Sequence, residues 1–161
     1  MRIVELGLIR AADGSCLAQG PAGSTVLVTV SGPGPVKSKH ERIDGATVLV
    51  SLAPLNYAPG GDSDLWAGRI EQVLQSAVVH VAAHPRSLIS VSVQPLHIVA
   101  DDWLPLLWNA VFVALLHAAV PLRRPMVAVG GARDIGVVDP TTGDVLCFES
   151  ETGKMAPVAL K

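Results

Sequence analysis

Between Asp101-Asp102 and Arg123-Arg124 run 20 residues, Trp103 to Leu122, that contain no Asp, Glu, Lys or Arg. A stretch of this length either crosses a bilayer or lies inside a protein core. Its prolines favour the core. Pro105 falls where the first turn of a helix tolerates proline, after Asp102 as an N-cap. Pro121 then stops the helix after about four turns. The segment therefore reads as a helix buried at the centre of a soluble domain, with a membrane span as the lesser alternative.

The rest of the chain supplies layers for such a helix to pack on. Arg2 to Arg10, Cys16 to Gln19, Ser24 to Val30 and Ala46 to Leu52 read as strands. Ala12 to Ser15 and Gly20 to Gly23 mark turns, and Ser31 to Pro35 (SGPGP) reads as irregular. From Leu65 the period changes. Trp66, Ile70, Val73, Leu74, Ala77, Val78 and Val81 recur at three- and four-residue steps, which predicts an amphipathic helix ending near His84-Pro85. Ser87 to Gln94 alternates as a strand and continues to Val99, broken or bulged at Pro95. Three further strands follow the buried helix, at Met126 to Gly130, Ile135 to Val138 and Val145 to Phe148. The last two are joined by the hairpin turn Asp139 to Gly143. With 161 residues, this order gives one α+β domain over 1–161, a mixed sheet with a buried central helix.

Half of the residues are hydrophobic and only 16% are charged, against about 25% in a typical soluble domain. Such a surface suits a subunit whose faces are covered by partners. The net charge of −2 excludes general electrostatic binding of nucleic acid, so any RNA contact needs a local patch. Lys37, Lys39, His40 and Arg42 form the densest basic cluster and are the best hook for phosphate, although a solvated face is the commoner use of such a run. Cys16 and Cys147 have no metal or redox spacing, which suits a reducing compartment. No signal peptide is read at the N-terminus.

Other candidates carry less. His80 and His84 would share a helix face at zinc-pair spacing, but no acid or third ligand accompanies them, so no metal is expected. Asp101, Asp102, Asp134, Asp139 and Asp144 could supply paired carboxylates. Asp102 is better read as a cap, and Asp139 and Asp144 as turn residues. Gly130 to Arg133 resembles a small phosphate cradle, with Arg133 as its cation, and equally resembles a strand-to-strand turn. Ser15 and Ser24 lie in no nucleophile elbow.

Several short blocks, in order, resemble the RNase PH-like proteins of the exosome core ring. They are Leu6 to Pro33 with its Asp13-Gly14-Ser15, Gly20, Thr25 and Gly32-Pro33; Arg69 to Val79; His84 to Ser87 with the following strand; Asn109 to Leu122; and Val137 to Thr141. The resemblance is to the short type without an added RNA-binding domain, and the family's last helix is not matched. It implies a ribosomal-S5-type layered fold and sister RNase PH-like subunits in a hexameric ring. It also implies single-stranded RNA as a partner, contacted by Lys37, Lys39, His40, Arg42 and Arg86, with no cofactor and no membrane. A setting in the nucleus (nucleolus) and cytoplasm goes with it.

Active members of that family place a Gly-Gly-Thr/Ser-Arg turn before the buried helix to bind the attacking phosphate, as helix N-termini hold anions. This chain reads Asp101-Asp102-Trp103-Leu104-Pro105 there. Leu65-Trp66 stands where active members carry an RNA-gripping arginine pair, and the acidic stretch after Val138-Asp139 is shortened. The expected role is a structural subunit without catalysis. The alternatives are an active phosphate-dependent 3′→5′ exoribonuclease, with Arg133 on phosphate, and an unrelated α+β binding protein.

Overall fold

A computed structural model describes residues 1–37, 41–53, 61–99, 103–130 and 134–150. The elements are β1 (Arg2–Leu6), β2 (Gly14–Gln19), β3 (Thr25–Pro35), β4 (Thr47–Leu52), α1 (Gly61–Val73), β5 (Ser87–His97), α2 (Trp103–His117), β6 (Val127–Gly130), β7 (Asp134–Val138) and β8 (Val145–Ser150). Five strands form one sheet in the order β1-β2-β3-β5-β4, and β6-β7-β8 form a second. All neighbours are antiparallel except β4 and β5, which run parallel because α1 carries the chain back between them.

Strand alternation sets the layers. Cys16 and Ala18 of β2, Val26, Val28 and Val30 of β3, Val48 of β4, and Ile89, Val91 and Val93 of β5 are all buried. The register places Cys16 beside Val28, Val28 beside Val93 and Val48 beside Ile89, so these side chains share one face. The buried side of α2 (Leu107, Val111, Ala114 and Leu115 among others) packs on β2 and β3, and β6 closes over it with Ala128. The uncharged stretch is thus the core helix that the prolines imply. No helix of the described residues is long and apolar enough to cross a membrane.

At one point α2 and β2 almost touch. A Cβ on Gly14 would lie 2.6 Å from the Ala114 carbonyl oxygen and from the nitrogen and Cβ of Ala118. Gly14→Ala is expected to destabilise the fold by about 1–3 kcal/mol, because backbone must move to admit the methyl group. A thermal midpoint equal to that of the wild type would disprove the close approach.

Three expectations are corrected. First, the helix at 65–84 does not run as one α-helix. After Val73 it widens into a π turn at Leu74–Val78, closed by Val79 N–H donating to Leu74 C=O at 2.8 Å. Val79 is then drawn into an extended bridge with Leu122, while His80 N–H donates to Pro121 C=O and Arg123 N–H to Val78 C=O. These cross-chain partners replace further helical hydrogen bonds. Second, SGPGP is not simply irregular. β3 continues through it to Pro35, with a register shift between Ser31 and Gly34 and a cis Gly32-Pro33 bond. Asp13 Oδ2 accepts the Gly32 N–H at 2.7 Å. Third, the first strand ends at Leu6, where Gly7 takes a positive φ of 74°.

Candidate nucleic-acid interface

The described basic residues Lys37, Arg42 and Arg86 fall at the corner where β3 ends and β5 begins. Pro35 pairs with Ser87, which sets the exposed Lys37 near the exposed Arg86. Arg86 takes a left-handed conformation (φ 58°), and its N–H donates to the Arg42 carbonyl at 3.2 Å. The fold therefore brings Arg42 and Arg86 together from 44 positions apart (86 − 42). It also supplies each with an acid: Arg86 Nε lies 3.6 Å from Glu41 Oε1, and Arg42 Nε 3.9 Å from Asp44 Oδ1. Such exposed pairs add little to stability, but they offset the field that would attract phosphate. Lys39 and His40 lie outside the described residues.

A second cluster forms where α1 meets the first turn of α2. The rings of Trp66 and Trp103 meet edge to face at 6.2 Å and 77°. The Arg69 guanidinium sits over Trp66 at 4.9 Å from its ring centre. T-shaped aromatic pairs and cation–π stacking are both favourable geometries, so the three side chains hold one another. Trp66 and Trp103 occupy the two positions that, by resemblance, grip RNA and hold phosphate in active relatives. Two separate departures in the sequence are thus one packed aromatic contact in space. Nearby, a cavity of about 240 Å³ is lined by Pro105, Leu106, Asn109, Ala128, Val129 and Gly130 among others, with no Lys, Arg or His among its described lining residues.

The remaining candidates resolve as follows. His80 lies beyond the π turn, with φ −80° and ψ 73°, so it does not share a helix face with His84. No group of three or more His, Cys, Asp or Glu side chains among the described residues is placed to hold a metal ion. Asp139 is buried and works within its own turn. Its Oδ1 accepts the Thr141 N–H at 2.8 Å, its N–H donates to Asp144 C=O, and its C=O accepts the Gly143 N–H. The Thr141 N–H holds its carboxyl below the ordinary aspartate range, against the opposing effect of burial. Asp144 pairs with Arg124 at 3.1 Å, and Asp134 is exposed at the start of β7.

Gly130 pairs with Ile135 where β6 and β7 run antiparallel. Asp101, Asp102 and Arg133 lie outside the described residues. Ser15 Oγ accepts the Ile9 N–H, and Ser24 Oγ both donates to and accepts from the Val99 backbone. Cys16 and Cys147 are free and buried. Burial pushes both thiols up, while Arg69 draws Cys147 partly back. One functional side chain escapes sequence reading. Asn109 on α2 spans to β6, donating to the Ala128 C=O and accepting its N–H, both at 2.9 Å. An amide inside an otherwise apolar helix is the signal that could have shown it.

A five-stranded mixed sheet and a three-stranded sheet around one central helix, with this site at the start of that helix, define an RNase PH-type domain. The profile of the 3′ exoribonuclease (RNase PH) family, domain 1, matches residues 2–121, and the chain belongs to that family. It is 32% identical over 120 residues to the fission yeast (Schizosaccharomyces pombe) protein named exosome complex component rrp46, covering 74% of this chain and 52% of that one. It is 32% identical over 125 residues to the rice (Oryza sativa subsp. japonica) exosome complex exonuclease RRP46 homolog, covering 76% and 50% respectively. The matches thus span about half the length of these relatives. In fold it is similar to the crystal structure of rice Rrp46, with a TM-score of 0.74 at 23% identity, covering 92% of this chain and 79% of that one. It is equally similar to a chain of an archaeal exosome core, with a TM-score of 0.74 at 15% identity, covering 99% and 76%.

Proposed function

We propose that this chain is a non-catalytic subunit of an exosome-type ring, assembling with sister RNase PH-like subunits around a channel for single-stranded RNA. One observation supports the reading: Trp66 and Trp103, at the positions that by resemblance serve RNA grip and phosphate in active relatives, pack against each other. An indole pair offers no anion donor at the ring faces, and Pro105 removes one of the N–H groups that the helix start would present. The low charge of the chain suits a subunit with covered faces. Asp139, with its carboxyl engaged by Thr141, is a turn residue in this reading and not an acid–base catalyst. A nuclear (nucleolar) and cytoplasmic setting accompanies the role.

The test is a reconstituted ring in which only this subunit retains its native site positions, given RNA with a single-stranded 3′ end and inorganic phosphate. No nucleoside diphosphate release above the no-protein level is expected. Phosphate-dependent release that disappears on Asp139→Asn or Asp144→Asn would identify an active phosphorolytic exoribonuclease instead.

A further inference from the structure

We propose that the corner made by Trp66 and Trp103 is a docking site for an arginine-bearing segment of a protein partner. This goes beyond the ring role, which asks of these two residues only that they hold no RNA phosphate.

The aromatic geometry makes the site. The two indoles meet at 77° with their centres 6.2 Å apart, so they form two walls at nearly a right angle. Each is half-buried, with part of the ring at the surface. One cation already uses this surface, since the Arg69 guanidinium lies 4.9 Å from the centre of the Trp66 ring. That contact does not exhaust the pair. In an edge-to-face arrangement one ring presents its edge and the other a face. If Trp103 presents the edge, neither of its faces is taken by Trp66 or Arg69. If Trp66 presents the edge, one face of Trp103 is left by both. In either case the part-exposed Trp103 has π surface that these two partners do not use, and aromatic corners of this kind hold cations.

The charges choose the occupant. Asp64 is exposed in the first turn of α1, two positions before Trp66. In the sequence, Asp62 stands four positions before Trp66, and Asp101 and Asp102 directly precede Trp103. Consecutive Cα atoms are about 3.8 Å apart, so residues this near along the chain stay within about one Debye length of the indole they precede. The four carboxylates outnumber the single guanidinium of Arg69, which makes the local charge more negative than the −2 of the whole chain. Such a field repels an RNA backbone and draws a basic peptide. Arginine suits the corner better than lysine, because its flat guanidinium stacks on an indole while it hydrogen-bonds a carboxylate in its own plane. A position that by resemblance takes an anion in active relatives has thus changed sign.

The experiment titrates the full chain with a labelled arginine–glycine repeat peptide, read by anisotropy of the label and by the intrinsic emission of the indoles. Saturable binding is expected, with a change in indole emission. Trp103→Ala should weaken it about fivefold or more, and Trp103→Phe, which keeps a π face, should weaken it less. Asp64→Asn should weaken it about two- to threefold and flatten its dependence on salt. Circular dichroism checks folding, and if the alanine variant does not fold, indole emission and Asp64→Asn carry the test. No binding, binding with no change in indole emission, or binding unweakened in Asp64→Asn or in a folded Trp103→Ala would overturn the proposal. So would single-stranded oligoadenylate that binds more tightly than the peptide and is lost in Trp103→Ala, because the corner would then be a platform for stacked bases. None of these titrations reads phosphate-dependent cleavage, so the ring role stands or falls separately.

Discussion

Trp108→Ala is expected to lower the thermal midpoint by roughly 6–20 °C, the largest effect of any single change considered. Trp108 heads the fully buried side chains, at 1% exposure, and sits in α2 between the two sheets. Truncating a buried tryptophan costs about 3–5 kcal/mol, and each kcal/mol is worth about 2–4 °C in a chain of this size. The indole nitrogen adds a second, sharper expectation. Trp108 Nε1 is buried and has no hydrogen-bond partner among the described residues. Trp108→Phe removes that unsatisfied donor, relieving about 1–3 kcal/mol of desolvation penalty against the loss of ring volume. The phenylalanine variant should therefore melt within a few degrees of the wild type. Calorimetry on the two variants decides it, and equal damage from Phe and Ala would show that the N–H is satisfied.

The neighbouring residue behaves in the opposite way. Asn109→Leu strips both hydrogen bonds from Ala128, whose N–H and C=O are held at 2.9 Å by one amide. Ala128 is buried, so each orphaned backbone group costs about 1–3 kcal/mol, and a total of roughly 2–6 kcal/mol is expected. Amide exchange at Ala128 should accelerate well before the rest of β6 is affected. Asn109→Asp keeps the acceptor for the N–H and loses only the donor, so its cost should fall between. If Asn109→Leu left the Ala128 amide as protected as before, the clamp between α2 and β6 would be refuted.

These two residues mark the border of what the sequence discloses. The central helix, the Asp139 to Gly143 turn and the alternating strand at Ser87 were legible, because each rests on local rules of period, proline and turn chemistry. The π turn at Leu74–Val78 was not. Its apolar residues keep α-helical spacing, and only the later pairing of Val79 with Leu122 pulls the segment out of register. That shift separates His80 from His84 and removes the metal reading. The extension of β3 through SGPGP was hidden for a related reason, since Gly32 and two prolines argue locally against a strand that β5 nonetheless holds.

The candidate site was half legible. Resemblance singled out Leu65-Trp66 and Trp103 as separate departures. That the two indoles touch depends on how α1 and α2 meet, which no local pattern encodes. The basic cluster shows the converse. Lys37 and Arg42 read as a hook for phosphate, but the tertiary fold sets Glu41 against Arg86 and so dilutes the positive potential.

Glu71 and Gln75 have a consequence that reaches past the single molecule. Along the outer flank of β4, Gln75 Oε1 accepts the Val48 N–H, its Nε2 donates to the Ala46 C=O, and Glu71 Oε2 accepts the Val50 N–H. An extended segment of another molecule arriving at that flank meets these backbone groups already engaged, so this border is kept from serving as a template for fibres.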